Sequence, residues 1–140
     1  MKEIAQDYLE YWFGRGKGFL KGANNYLKDS ENAIAAFSLH QATESFYSAI
    51  LLVFSNYKPK LHDIEELGGM AGNYSSKLLQ VFPIATPERK ECFELLKKAY
   101  VDARYDKNYK ITKEQLLYLI ERIEKLKEIT ERICMARING

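Results

Sequence analysis

The chain has 140 residues, enough for one domain, and its 46% hydrophobic, 29% charged and 13% aromatic content is that of a packed globular protein rather than a disordered one. Lys+Arg 21 against Asp+Glu 19 leave a formal charge of +2, which gives no strong signal for nucleic acid or for an anionic membrane surface. The longest apolar run, Ala49–Phe54, falls far short of the roughly 20 residues that a bilayer span needs. The opening Met1-Lys2-Glu3 leads straight into an amphipathic pattern with no apolar leader, and Cys92 and Cys134 are too few for a disulfide framework or an unaided zinc site. The expectation is a cytoplasmic protein with two buried, reduced thiols.

All three prolines, Pro59, Pro83 and Pro87, fall in the middle of the chain, so both flanks can be continuous helix. The first segment carries Ile4, Tyr8, Tyr11/Trp12, Phe19, Ala23 and Tyr26 at spacings of three and four, which predicts a helix over about 3–28 with those residues inward. Gly14, Gly16, Gly18 and Gly22 interrupt it and predict a bend or a close approach. Ser30 is a candidate N-cap for the next helix. That helix has the strongest pattern in the chain, Ala35, Leu39, Ala42, Phe46, Ala49 and Val53, widened by Phe37, Tyr47, Leu51 and Phe54, so it is predicted to be buried on more than one side. A short helix is expected over about 62–72 and a helical turn around 76–82. Thr86-Pro87 then reads as an N-cap followed by proline at the first helical position, opening a helix that ends near 104–106 with Phe93, Leu96, Tyr100 and Ala103 inward. Thr112 and Gln115 form a capping-box pattern before a last helix that repeats Leu116, Leu119, Ile123, Leu126, Thr130 and Ile133. No segment has a strand period, and the predicted fold is all-α: an antiparallel up-and-down bundle of four long helices plus a short one, in a single domain over 1–140, with more than two-thirds of the residues helical.

Polar residues that break these stripes are the candidates for chemistry. Gly14-Arg15-Gly16-Lys17-Gly18 follows no strand and matches no phosphate-loop spacing, so it reads as a close-packed helix. His40 and Glu44 sit one turn apart on the most apolar helix and can hydrogen-bond to each other, either as a satisfied core network or as the floor of a polar groove. His62-Asp63 opens the short helix, where Asp63 complements the helix dipole; one histidine and one carboxylate are too few for a metal site. Arg104 ends a helix, where a cation is favoured by the dipole, and its planar fork beside Tyr105 also suits phosphate and a base. No nucleophilic triad can be assembled from two histidines and two unremarkable thiols.

Several of these islands occur together in one family. Ala35-Ala36-Phe37-Ser38-Leu39-His40-Gln41-Ala42-Thr43-Glu44 with Ser48-Ala49-Ile50-Leu51-Leu52 resembles the second helix of HEPN domains. Pro59-Lys60-Leu61-His62-Asp63-Ile64 resembles the family's proline, His-Asp and aliphatic run, Ala103-Arg104-Tyr105 with Tyr109 and Thr112-Lys113-Glu114 its approach to the final helix, and Tyr11-Trp12-Phe13 its first-helix aromatics. The resemblance spans about residues 8–135. It implies a bundle of four to five helices, often a homodimer, nucleotide-binding, and associated with a minimal bacterial nucleotidyltransferase as a fused domain or separate protein. The chain itself carries no Gly-Ser followed by an Asp-x-Asp pair, so the resemblance implies a stand-alone version or an excised half. HEPN ribonucleases place a histidine after an arginine and four to six intervening residues, whereas the residues at those positions after Arg104 are Tyr109, Lys110 and Ile111. The expected function is a non-catalytic module binding a nucleotide or a nucleotidyltransferase's substrate. Arg104 would contact phosphate, Tyr105 would stack, and His40, Glu44, His62 and Asp63 would shape the groove, with no metal or cofactor. A metal-independent ribonuclease and a purely structural dimerisation module are the alternatives.

Overall fold

A computed structural model describes residues 2–140. The elements are α1 (Lys2–Lys28), α2 (Asn32–Ser55), α3 (Ile64–Ala71), a 3₁₀ turn (Ser76–Gln80), α4 (Pro87–Lys98), α5 (Asp102–Tyr105) and α6 (Lys113–Asn139). Helix accounts for 77% of the chain and no strand occurs among the described residues, so the all-α bundle is the observed architecture. Helix α2 is central: α1, α3, α4, α5 and α6 all pack on it, and α1 and α6 also meet each other. Its predicted stripe is fully inward, with Ala35, Leu39, Ala42, Phe46 and Ala49 without exposure, and Tyr47, Ile50 and Leu51 are buried beside them.

Helix starts follow the sequence closely. The Thr86 hydroxyl accepts from the Arg89 amide at 3.2 Å with Pro87 next in line, and Thr112 and Gln115 close the reciprocal capping box at 3.1 and 2.9 Å. Asp63 caps α3 by accepting from the Glu65 and Glu66 amides at 3.0 and 3.1 Å, so this helix starts at Ile64 and not at 62. Both thiols are buried and unpaired; burial raises the Cys92 thiol and pushes Cys134 up to about 12.

Three expectations are corrected. The inward face of α1 is Leu9, Phe13, Gly16, Leu20 and Ala23; Ile4, Tyr11 and Tyr26 are exposed, and Tyr8, Trp12 and Phe19 only partly covered. The aromatic run Tyr11-Trp12-Phe13 supports two adjacent stripes, and Gly16 selects between them. It is the point where α1 approaches the Phe46 ring of α2, closer than any side chain would allow. Ser30 does not cap α2. It ends α1 in the left-handed region at φ 60, its amide bonding Leu27 O and the Glu31 amide bonding Tyr26 O, which is a Schellman ending, and α2 then begins without a side-chain cap. The helix expected to run to 104–106 breaks at Ala99–Val101. The Ala99 amide bonds Leu96 O and the Arg104 amide bonds Val101 O, which releases the Tyr100 carbonyl from helical bonding.

Gly16 and Gly18 should therefore respond oppositely to alanine. A Cβ at Gly16 would lie closer than 3.0 Å to three atoms of the buried Phe46 ring, whereas one at Gly18 meets nothing within 4 Å. Gly18→Ala is expected to stabilise by up to about 1 kcal/mol through helix propensity. Gly16→Ala is expected to lower stability, because overpacking costs about 1–3 kcal/mol against that same gain. Urea unfolding of the two variants checks the pair; a stabilised Gly16→Ala protein would contradict the close approach.

A candidate polar site along α2

Most polar side chains of α2 satisfy themselves locally. Thr43, Ser45 and Ser48 donate to the carbonyls of Leu39, Gln41 and Glu44 at 2.8 Å each, one turn back on the same helix. His40 and Glu44 are too long for that bond, yet both are buried. His40 Nδ1 lies 3.3 Å from the Gln41 amide nitrogen beside it, whereas Glu44 is met from outside the helix, and this assembles the site.

Glu44 does not hydrogen-bond to His40 as the spacing suggests: their closest approach is 3.9 Å. Its Oε1 instead lies 2.9 Å from Nδ1 of His62, in the segment that follows Pro59. His62 is half exposed and lies flat on Tyr100, ring centroids 4.2 Å apart and planes 16° from parallel. Tyr100 also contacts the His40 ring at 5.3 Å and faces Phe37 at 6.3 Å. Tyr100 and Phe37, which sequence reasoning placed in the core stripes alone, thus belong to the site. Burial drives the His40 imidazole down to about 4, and the charges of His62 and Arg104 push the same way, against the His62 backbone and Asp63. His40 is a neutral ring at the floor.

Arg104 crowns the cluster. Its guanidinium carbon lies 4.7 Å from the Phe37 ring centroid, 4.7 Å from that of Tyr100 and 4.9 Å from that of Tyr105. Its Nε donates to the Tyr100 carbonyl at 2.7 Å, the same carbonyl that the α4–α5 break releases. Among the described residues no carboxylate pairs with Arg104 within 4.0 Å. The side chain is held by three rings and one carbonyl, while its two terminal nitrogens have no hydrogen-bond partner among the described residues. Tyr105 is 75% exposed at the rim. Tyr100 also joins His62, Asp63, Glu65, Lys97, Lys98 and Asp102 in lining an open groove of about 470 Å³. Asp63 contributes to its wall with a carboxylate already engaged in capping α3. All six residues singled out from the sequence thus lie in or next to one cluster.

Tyr109, separated from Arg104 by four intervening residues, is a structural anchor. Its hydroxyl donates to the Leu95 carbonyl at 2.7 Å, and burial, reinforced by the Asp102 charge, raises it above the ordinary tyrosine range. Among the described residues no three His, Cys, Asp or Glu side chains converge as a metal site would require, and no helix is long and apolar enough to cross a membrane.

Comparison with known families places the chain. The model of the family described as HEPN domain matches residues 9–133, nearly the span over which the resemblance was read. No individual curated protein matches the chain significantly.

The depressed His40 has a consequence for stability with a definite sign. Between about 4 and the ordinary 6.5, the unfolded chain binds a proton that the folded one refuses, so stability is complete above 6.5 and is lost as the pH falls towards 4. The loss attributable to His40 is expected to be on the order of 3 kcal/mol. Denaturant unfolding at pH 7, 5.5 and 4.5 should show a steeper decline for the wild type than for His40→Gln; parallel declines would contradict the buried neutral ring.

Proposed function

This chain belongs to the HEPN domain family, and from that premise we propose that it is a non-catalytic helical module that holds a phosphate-bearing ligand at Arg104. The ligand class is a nucleotide, or the nucleotide-like substrate of an associated nucleotidyltransferase. The observation that carries this reading is the state of Arg104 itself. An arginine used only for stability normally meets a carboxylate or several backbone carbonyls; here three rings and one carbonyl fix the fork and leave its outer edge to solvent. A phosphate would find two parallel N–H donors there without the entropic cost of ordering a long side chain. Tyr105 offers an exposed ring for a base, and Lys98 adds a donor in the neighbouring groove.

The same geometry favours binding over cleavage of RNA. A general base must sit near its proton with a pKa near the working pH. At the spacing where a ribonuclease of this family has its histidine, Tyr109 is tied to Leu95 O and held protonated. His40 is buried beneath Tyr100, and His62 is committed to Glu44.

Calorimetric titration with nucleoside triphosphates tests the reading. Charge-assisted contacts contribute roughly 1.5–3 kcal/mol, so Arg104→Ala should weaken binding about 10- to 150-fold. Arg104→Lys should restore only part of it, because a point charge does not reproduce the bidentate fork. Unchanged affinity in a folded Arg104→Ala protein, with only a lowered melting temperature, would reduce Arg104 to a structural residue. Cleavage of labelled RNA that depends on Arg104 would replace the reading with the ribonuclease one.

A further inference from the structure

A second concentration of cations lies where the 3₁₀ turn meets α6, away from the residues described so far. Lys77 and Gln80 from the turn, and Arg122, Lys125, Glu128 and Arg132 from α6, line an open groove of about 360 Å³. Four cations against one carboxylate give a local excess of three charges in a chain whose whole formal charge is only +2. Surface lysines and arginines on helices are ordinarily paired one turn away, and α6 has glutamates available to do it. Yet none of Lys77, Arg122, Lys125 and Arg132 pairs with a carboxylate within 4.0 Å among the described residues.

Arg122 shows that the groove is built and not merely charged. Its Nε donates to the Val81 carbonyl at 2.6 Å and one terminal nitrogen donates to the Gln80 carbonyl at 3.0 Å. These bonds close the end of the 3₁₀ turn and fix the guanidinium in the groove wall, with its other terminal nitrogen unpartnered among the described residues. Lys125 and Arg132 are two helical turns apart, on the same face of α6 and about 10 Å apart along its axis.

We propose that this groove is a binding site for a compact, multiply charged phosphate group, the chemistry of an oligophosphate or of a nucleotide's phosphate tail. Compactness follows from the surroundings. Arg122, Lys125 and Arg132 are interleaved on α6 with Glu121, Glu124, Glu128 and Glu131. A nucleic-acid strand running along the helix would pass those carboxylates, whereas a cluster of adjacent phosphates can lie within the groove that the cations line. The site is independent of the reading of Arg104.

The test is calorimetric titration of tripolyphosphate into the full chain carrying Arg104→Gln, so that the two sites are read separately. One saturable event is expected, weakening steeply between 50 and 200 mM salt. Lys125→Gln with Arg132→Gln should reduce its affinity at least about tenfold. Neither side chain pairs with a carboxylate among the described residues and both are exposed at the bundle surface, and an unchanged melting temperature verifies the fold. Lys21→Gln with Lys28→Gln removes the same charge from α1 and should leave the affinity within about twofold. Equal affinity for ATP and tripolyphosphate assigns recognition to the phosphates, and tighter ATP assigns it to a nucleotide's tail; either supports the site. No saturable binding, equal weakening by both double variants, or binding of single-stranded RNA but not tripolyphosphate through Lys125 and Arg132 would overturn it.

Discussion

Helix α2 has almost no solvent face, so every polar side chain on it must find a partner inside the bundle or at its rim. The short hydroxyl residues comply within the helix and the buried His40 meets the Gln41 side chain, but the buried Glu44 finds no partner on its own helix. Leaving either unpaired would cost about 1–3 kcal/mol or more. The chain meets this demand with two segments that have little regular structure of their own. The stretch after Pro59 brings His62 to Glu44, and the break between α4 and α5 brings Tyr100 over His40. The cluster is therefore the solution to a burial problem before it is a site.

That solution sets the character of the surface above it. Tyr100 is shared: one face and edge serve His62 and His40, its ring helps cover Arg104, and its carbonyl anchors Arg104 Nε. The released carbonyl is the critical detail. In an uninterrupted helix it would accept from the Arg104 amide, and the guanidinium would have no fixed anchor on this side. Breaking the helix exchanges one backbone bond for a side-chain bond and orients an arginine fork outward. The arrangement joins a buried neutral histidine, a half-exposed aromatic layer and an unpaired cation in three tiers, running from the core to the solvent.

The bundle was legible in the sequence because its signals are local. The α2 and α6 stripes, the Thr86-Pro87 start and the Thr112–Gln115 box each lie within a few residues and act through helix geometry alone. The α1 face was misread because three successive aromatics make two stripes equally apolar, and only the tertiary contact of Gly16 with Phe46 decides between them. Ser30 was misread because a serine in a helix–helix turn suits either the end of one helix or the start of the next, and the backbone bonds choose. The site residues were legible as polar interruptions of apolar stripes, but their pairing was not. His40 and Glu44 look like partners at one-turn spacing, while the partner of Glu44 lies 18 residues away and the ring over Arg104 comes from Phe37 on another helix. Tyr100 and Phe37 were hidden for a related reason: an aromatic at helical spacing reads as core, and these two are core on one side and site on the other.

Arg104 stands at the top of this arrangement as a fixed, outward-facing fork clamped by aromatic rings. The Nε–H resonance of Arg104 in a ¹⁵N-labelled protein reports on it directly. The account predicts a distinct Nε–H signal, shifted by the Phe37 and Tyr100 rings, slow to exchange because of the bond to Tyr100 O, and moved further on addition of a nucleoside triphosphate. A signal at the position of a free arginine, exchanging rapidly and indifferent to nucleotide, would contradict it.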